Sequence, residues 1–277
     1  MFIPFKIKKT TIDSTCKLGR YTYNTDKMLE HVKANINAES IKRALIDGTR
    51  LQEEWFPSEA YDSLFDVFIS HAHADDYAVK QLAGFLQEEY GLRSFIDSVY
   101  WGYIGQLQKD LDDWYSAKES YGHKTYDYKT SNFMAANVHI MLSTALLKMM
   151  DSCECLIFVD SDNSLTYQKS QPQTPSPWIY EEMSFAKRLR VNIPLRHKDK
   201  FQVTINESRE RSSVCFFCHS TIERREAKFT YDVDLRDFEE LLISDFELAK
   251  GSKGKKVLDL WYDKYNATNR TVNKLLG

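Results

Sequence analysis

Three short apolar runs, each ending on polar residues and separated by segments of helical period, constrain this chain more than anything else in it. Leu64-Phe65-Asp66-Val67-Phe68-Ile69-Ser70 reads as a nearly continuous apolar strand, Leu92-Arg93-Ser94-Phe95-Ile96-Asp97 as a second, and residues 155–160 as a third. Such runs belong to strands buried on both faces in a parallel sheet, whereas an antiparallel sheet with one wet face would show strict alternation. Between them, residues 75–90 carry Val79, Leu82, Ala83 and Leu86 on one helical face and stop at Gly91. Residues 104–115 put Leu107, Leu111 and Trp114 in phase, and residues 138–150 form a strong helical stretch. Strands alternating with helices predict an α/β fold with a parallel sheet and helices on both faces. In such sheets ligands bind at the carboxyl ends of the strands, here Ser70-His71, Asp97-Ser98 and Asp160-Ser161.

The remaining segments are read more coarsely. Phe2, Ile3, Phe5 and Ile7 alternate with lysines, which predicts a short strand rather than a signal peptide. Residues 26–36 and 38–46 are short amphipathic helices, the second ended by Asp47-Gly48. With the first strand they make a small leader module over residues 1–60, too small for a core of its own. Residues 116–132 read as an insertion loop, 161–177 as a polar loop, 178–190 as the next helix, 192–195 and 228–233 as further strands, and 235–250 and 257–265 as closing helices. Residues 61–277 form the main domain.

Composition excludes several functions. The 277 residues are 43% hydrophobic and 28% charged with a net charge of −3, so no global basic field favours nucleic acid or an anionic membrane. No run reaches the roughly 18 apolar residues of a membrane span. Without a signal peptide, a cytoplasmic setting and five reduced cysteines are expected. Cys215-Phe216-Phe217-Cys218-His219 has the haem-attachment spacing, but its expected role is a strand over residues 213–219 with buried thiols. His71 and His73 lack a third ligand at fixed spacing, so no metal is expected, and Asp75 reads as a helix cap. A G-x-G-x-x-G turn, a P-loop and a G-x-S-x-G elbow are all absent.

One helix carries an acid where apolar residues belong. After Pro175-Ser176-Pro177, a helix start, Trp178, Glu182, Phe185 and Leu189 fall on one stripe by steps of four and three. A carboxylate on such a stripe is costly unless it is paired. Glu182 is therefore the candidate for chemistry, and Glu181, in line with Ser184 and Arg188, is its solvent-side control. Ser70 and His71 are candidate substrate contacts at a strand end. The segment 97–103, with Tyr100, Trp101 and Tyr103, reads as a loop that either packs on the sheet edge or stacks on a planar ligand or a neighbouring chain.

Asp66-Val67-Phe68-Ile69-Ser70-His71, Gly91 to Asp97, Cys155 to Ser161 and Trp178-x-x-x-Glu182-Met183, in that order, resemble a Toll/interleukin-1 receptor (TIR) domain over residues 61–265. The likeness is greatest to bacterial TIR proteins, including those of Thoeris-type antiphage defence. It implies a flavodoxin-like fold and an NAD glycohydrolase or ADP-ribosyl cyclase, with NAD as substrate and no separate cofactor. It also implies a catalytic acid four residues after a tryptophan, which is Glu182. Ser70, His71, Asp97 and Ser161 at the strand ends, Tyr100 and Trp101 in the aromatic segment and Trp178 beside the acid are the expected substrate contacts. Self-association of TIR domains on activation and a downstream effector that senses the nucleotide product follow from the same likeness. A non-catalytic TIR scaffold acting by assembly through residues 100–103 is the alternative. A receiver-like domain would need an acidic cluster and a matching lysine, which the chain lacks.

Overall fold

The computed structural model describes residues 3–17, 19–24, 47–55, 65–120, 123–168, 171–189, 191–200 and 229–265. Its centre is a five-stranded, all-parallel sheet. The strands are β1 (Ile3–Lys8), β2 (Val67–Ser70), β3 (Ser94–Ile96), β6 (Cys155–Asp160) and β10 (Glu239–Leu241), in the spatial order β10-β1-β6-β2-β3. The trio β3-β2-β6 is the 2-1-3 order of a doubly wound, flavodoxin-like sheet, and β1 and β10 fill the next two places.

Helices cover both faces. α1 (Lys9–Cys16), α3 (Asp76–Tyr90), α7 (Ile243–Leu248) and α8 (Lys255–Lys264) bury one face with Val67, Ile69, Ile157 and Val159. On the other face, α2 (Gly48–Trp55), α4 (Ser98–Leu111), α5 (Tyr128–Ser152) and α6 (Pro177–Arg188) pack against Phe68, Phe95, Leu156 and Phe158. Side chains alternate across the sheet, so each continuous apolar run supplies both layers.

The first strand is not part of a separate leader. β1 lies inside the sheet, paired with β6 from Ile3↔Cys155 to Lys8↔Asp160 and with β10 from Phe5↔Glu239 to Ile7↔Leu241. Phe5 is fully buried, stacked on Tyr262 and edge-on to Trp261. Residues 19–24 also belong to the domain: the Gly19 and Tyr21 amides both donate to the buried Gln81 Oε1 of α3. At Gly84 a Cβ would come within 2.8 Å of the Thr22 carbonyl, so α3 needs glycine where this segment crosses it. The boundary at residue 60 therefore cuts through one folded unit. The helices expected over residues 26–36 and 38–46 lie outside the described residues. The Asp47 side chain caps the start of α2, accepting from the Thr49 and Arg50 amides.

Other sequence expectations shift for local reasons. Residues 97–103 are not a loop, because α4 begins at Ser98 and runs into a π turn over Asp112–Ser116. The expected insertion loop is a hairpin, β4 (Ala117–Ser120) and β5 (His123–Tyr126), followed by the early start of α5, where the Asp127 side chain accepts from the Thr130 amide. Within the expected polar loop, β7 (Thr166–Gln168) and β8 (Gln171–Thr174) pair, and β8 also pairs with β9 (Tyr231–Asp232). Residues 192–195 form no strand, and the expected helix over 235–250 is split into β10 and α7. The segment 213–219 lies outside the described residues.

Candidate active site

Register and period place the site. Ile69 pairs with Ile96, so one further step puts Ser70 level with Asp97 at the carboxyl end of the sheet. Phe68 and Phe95 point to the α5–α6 face, and two residues on, Ser70 and Asp97 point the same way. α6 lies over that face, with Ile179 and Met183 in the core on either side of Glu182. Its start is fixed by Ser176, whose hydroxyl accepts from the Ile179 amide, and by Pro177 at the first helical position.

Glu182 is 1% exposed, and its Oε2 accepts a hydrogen bond from Ser70 Oγ at 2.5 Å. Among the described residues, its Oε1 has no hydrogen bond of good geometry. Burial pushes its carboxyl well above the usual range, the nearby Asp97 charge pushes it further, and the Ser70 hydroxyl pulls the other way. Asp97 and His71 are each 4% exposed. His71 Nδ1 lies 3.0 Å from Asp97 Oδ1, an ion-pair distance, though off the line of a hydrogen bond. Burial alone would lower the His71 pKa, but the charges of Asp97 and Asp76 outweigh it and the net direction is upward. Four of the sequence candidates, Ser70, His71, Asp97 and Glu182, thus form one buried cluster.

The others are placed differently. Trp178 is half-buried and lies against His139 of α5, with ring centroids 4.9 Å apart. Tyr100 and Trp101 fall in α4, and their side chains lie outside what the structure describes. Ser161 belongs to a second network, in which its hydroxyl donates to Asp75. Asp75, 1% exposed, also accepts from Asn163 at 2.7 Å and meets Lys9 at 3.1 Å. Although burial opposes ionisation, the Ser161, Asn163 and Lys9 contacts hold its carboxyl below the usual range. It stands at the cap position of α3, but its side chain does no capping; it ties β1–α1, β2–α3 and the end of β6 together.

Glu181 is not a solvent-side residue. It is half-buried, accepts from Ser143 Oγ of α5 at 2.6 Å, and lies 3.9 Å from His139 Nε2. It remains a separate carboxyl on a separate partner. The described thiols, Cys16, Cys153 and Cys155, are buried and free, and burial pushes Cys16 and Cys153 up to about 12, far from thiolate chemistry.

The fold and site define an α/β protein with a doubly wound parallel sheet and a buried carboxyl pair at its carboxyl edge. Comparison with protein-family models, with curated proteins and with solved structures finds no match to this chain.

Proposed function

We propose that this chain is an NAD-cleaving TIR enzyme in which Glu182 is the working carboxylate. The observation that carries the reading is the Glu182 carboxyl itself: buried, held by Ser70 and set beside the Asp97 carboxyl, at the sheet edge where ligands of such folds bind. A group so placed costs stability, which makes it a candidate for function. The four ordered motifs add their likeness to bacterial TIR domains.

The chemistry suits a single working carboxylate. Breaking the nicotinamide–ribose bond builds positive charge on the ribose, and an ionised Glu182 near the ribose hydroxyls would orient the sugar and stabilise that charge. Nicotinamide leaves neutral, so no general acid is required. Attack by water yields ADP-ribose, and attack by an adenine nitrogen of the same molecule yields a cyclic ADP-ribose. Such a product would act as a cytoplasmic signal, read by a downstream effector in bacterial antiphage immunity. Incubation with NAD over a range of protein concentrations, followed by chromatography of products, tests the reading. Nicotinamide release is expected, and its absence under every condition would overturn it.

A scaffold reading is favoured by a different observation. The N-terminal half of α5 exposes Tyr128, Phe133 and Ile140, each more than 60% accessible, apolar side chains that a neighbour would cover. Self-association and catalysis are compatible, since TIR enzymes would complete their pockets with neighbours.

A further inference from the structure

Behind the Ser70-bound carboxyl sits a second buried carboxyl and a buried imidazole, which the chemistry above does not use. We propose that Asp97 and His71 are a positioning pair for Glu182, in which the two close on each other as an ion pair and leave Glu182 as the carboxyl that exchanges its proton. For its effect on turnover the inference rests on Glu182 as the working group, but the proton chemistry is readable in the resting protein.

The geometry separates the two acids. Asp97 has His71 Nδ1 at 3.0 Å and stands at the N-terminus of α4, a 14-residue helix whose amide dipoles favour an anion. Glu182 has a neutral hydroxyl, Ser70, on one oxygen. Other charged groups lie one step away. Glu181, on α6 itself, is engaged by Ser143 and faces His139 of α5. Asp76 of α3 acts on His71 and is held by Lys80 at 2.7 Å and by Ser98 Oγ at 2.9 Å. Two nearby buried carboxyls with unlike partners are driven to unlike protonation states.

A proton balance follows. With the His71–Asp97 ion pair formed, loss of the Glu182 proton to solvent leaves the cluster at a net charge of −1. Loss of the His71 proton at higher pH takes the cluster to −2 and leaves the Glu182 carboxylate with no cation in the cluster. The Glu182 carboxylate beside an intact ion pair is therefore most populated between these two proton losses, its own on the acid side and that of His71 on the alkaline side. Turnover that needs this state has a bell-shaped pH profile.

Two substitutions act in opposite directions. Asp97→Asn removes the like charge and should lower the Glu182 midpoint, whereas His71→Gln removes the cation and should raise it, each by about 1 to 3 pH units. Carboxyl-labelled glutamate, assigned through Glu182→Gln and titrated by NMR in wild type and both variants, reads this directly. Opposite shifts support the pair; shifts in one direction, or none, overturn it. Should a variant fail to fold, the wild-type curve decides: a two-step Glu182 titration with its second step at the His71 midpoint supports the pair, and a single step overturns it. Opposite shifts in a protein that releases no nicotinamide would sink the enzyme reading and leave this one standing. Nicotinamide release with shifts in one direction would do the reverse.

Discussion

At the scale of residues, the molecule places one carboxyl against its own stability. The folded state raises the Glu182 pKa, mainly by burial, so the folded protein binds a proton there that the unfolded chain has already released. By linkage, stability falls as pH rises from the ordinary glutamate range toward the folded pKa. Glu182→Gln removes that cost, so its melting temperature should exceed the wild type's at neutral pH, with the gain shrinking as the pH drops below the ordinary glutamate range. Thermal melts across pH check this, and a loss of stability at neutral pH would contradict it. Ser70→Ala deletes the hydrogen bond to Glu182, and if Glu182 is the working group as proposed, steady-state kinetics should show a loss of about 10- to 100-fold. An unchanged rate would mean that the bond does not orient Glu182. The stripe of Trp178, Glu182 and Phe185 was enough to single out Glu182, because helical period depends only on spacing. Asp97 as the neighbour of Glu182 was less legible: it depends on the Ile69↔Ile96 register, and pairing register is a tertiary property. The partner of Glu181 was hidden for the same reason, since Ser143 comes from a helix 38 residues away in sequence.

At the scale of elements, β2, β3 and β6 were readable because strands buried on both faces announce themselves by composition. β1 was readable as a strand but not as an interior strand of the main sheet. Its alternation reflects one face buried by Phe5 and Ile7 while Lys6 and Lys8 stay accessible on the other. β10 was masked by its sequence, Glu239-Glu240-Leu241, which reads as helix until it is seen completing the sheet edge beside Ile7. The place of β1 has a direct consequence. Phe5→Ala should destabilise the protein by about 3 to 5 kcal/mol, measured by denaturant unfolding. A value near zero would return β1 to the status of a dispensable leader. Gly84→Ala is expected to destabilise as well, because the new Cβ would meet the Thr22 backbone rather than a side chain that can move.

At the scale of the whole molecule, two networks share the carboxyl edge of one sheet. The Asp75 network fastens β1, α3 and the end of β6, and the Glu182 cluster occupies the opposite face beneath α6. The first reads as a brace and the second as a site, since only the second combines a buried acid, a second carboxyl and an imidazole. α5 exposes Tyr128, Phe133 and Ile140, which under the proposed self-association would be covered by a neighbour. Specific activity is therefore expected to rise with protein concentration, in step with self-association followed by light scattering; activity independent of concentration would argue for a site complete in one chain. The sequence could not reveal these exposed side chains, because exposure depends on what packs against a helix and not on its composition. The central claim is that Glu182 cleaves NAD while its neighbour in sequence does not. The most direct measurement is nicotinamide release by wild type, Glu182→Gln and Glu181→Gln under identical conditions. Loss of release in Glu182→Gln with retention in Glu181→Gln is expected. Full turnover by Glu182→Gln would contradict the assignment.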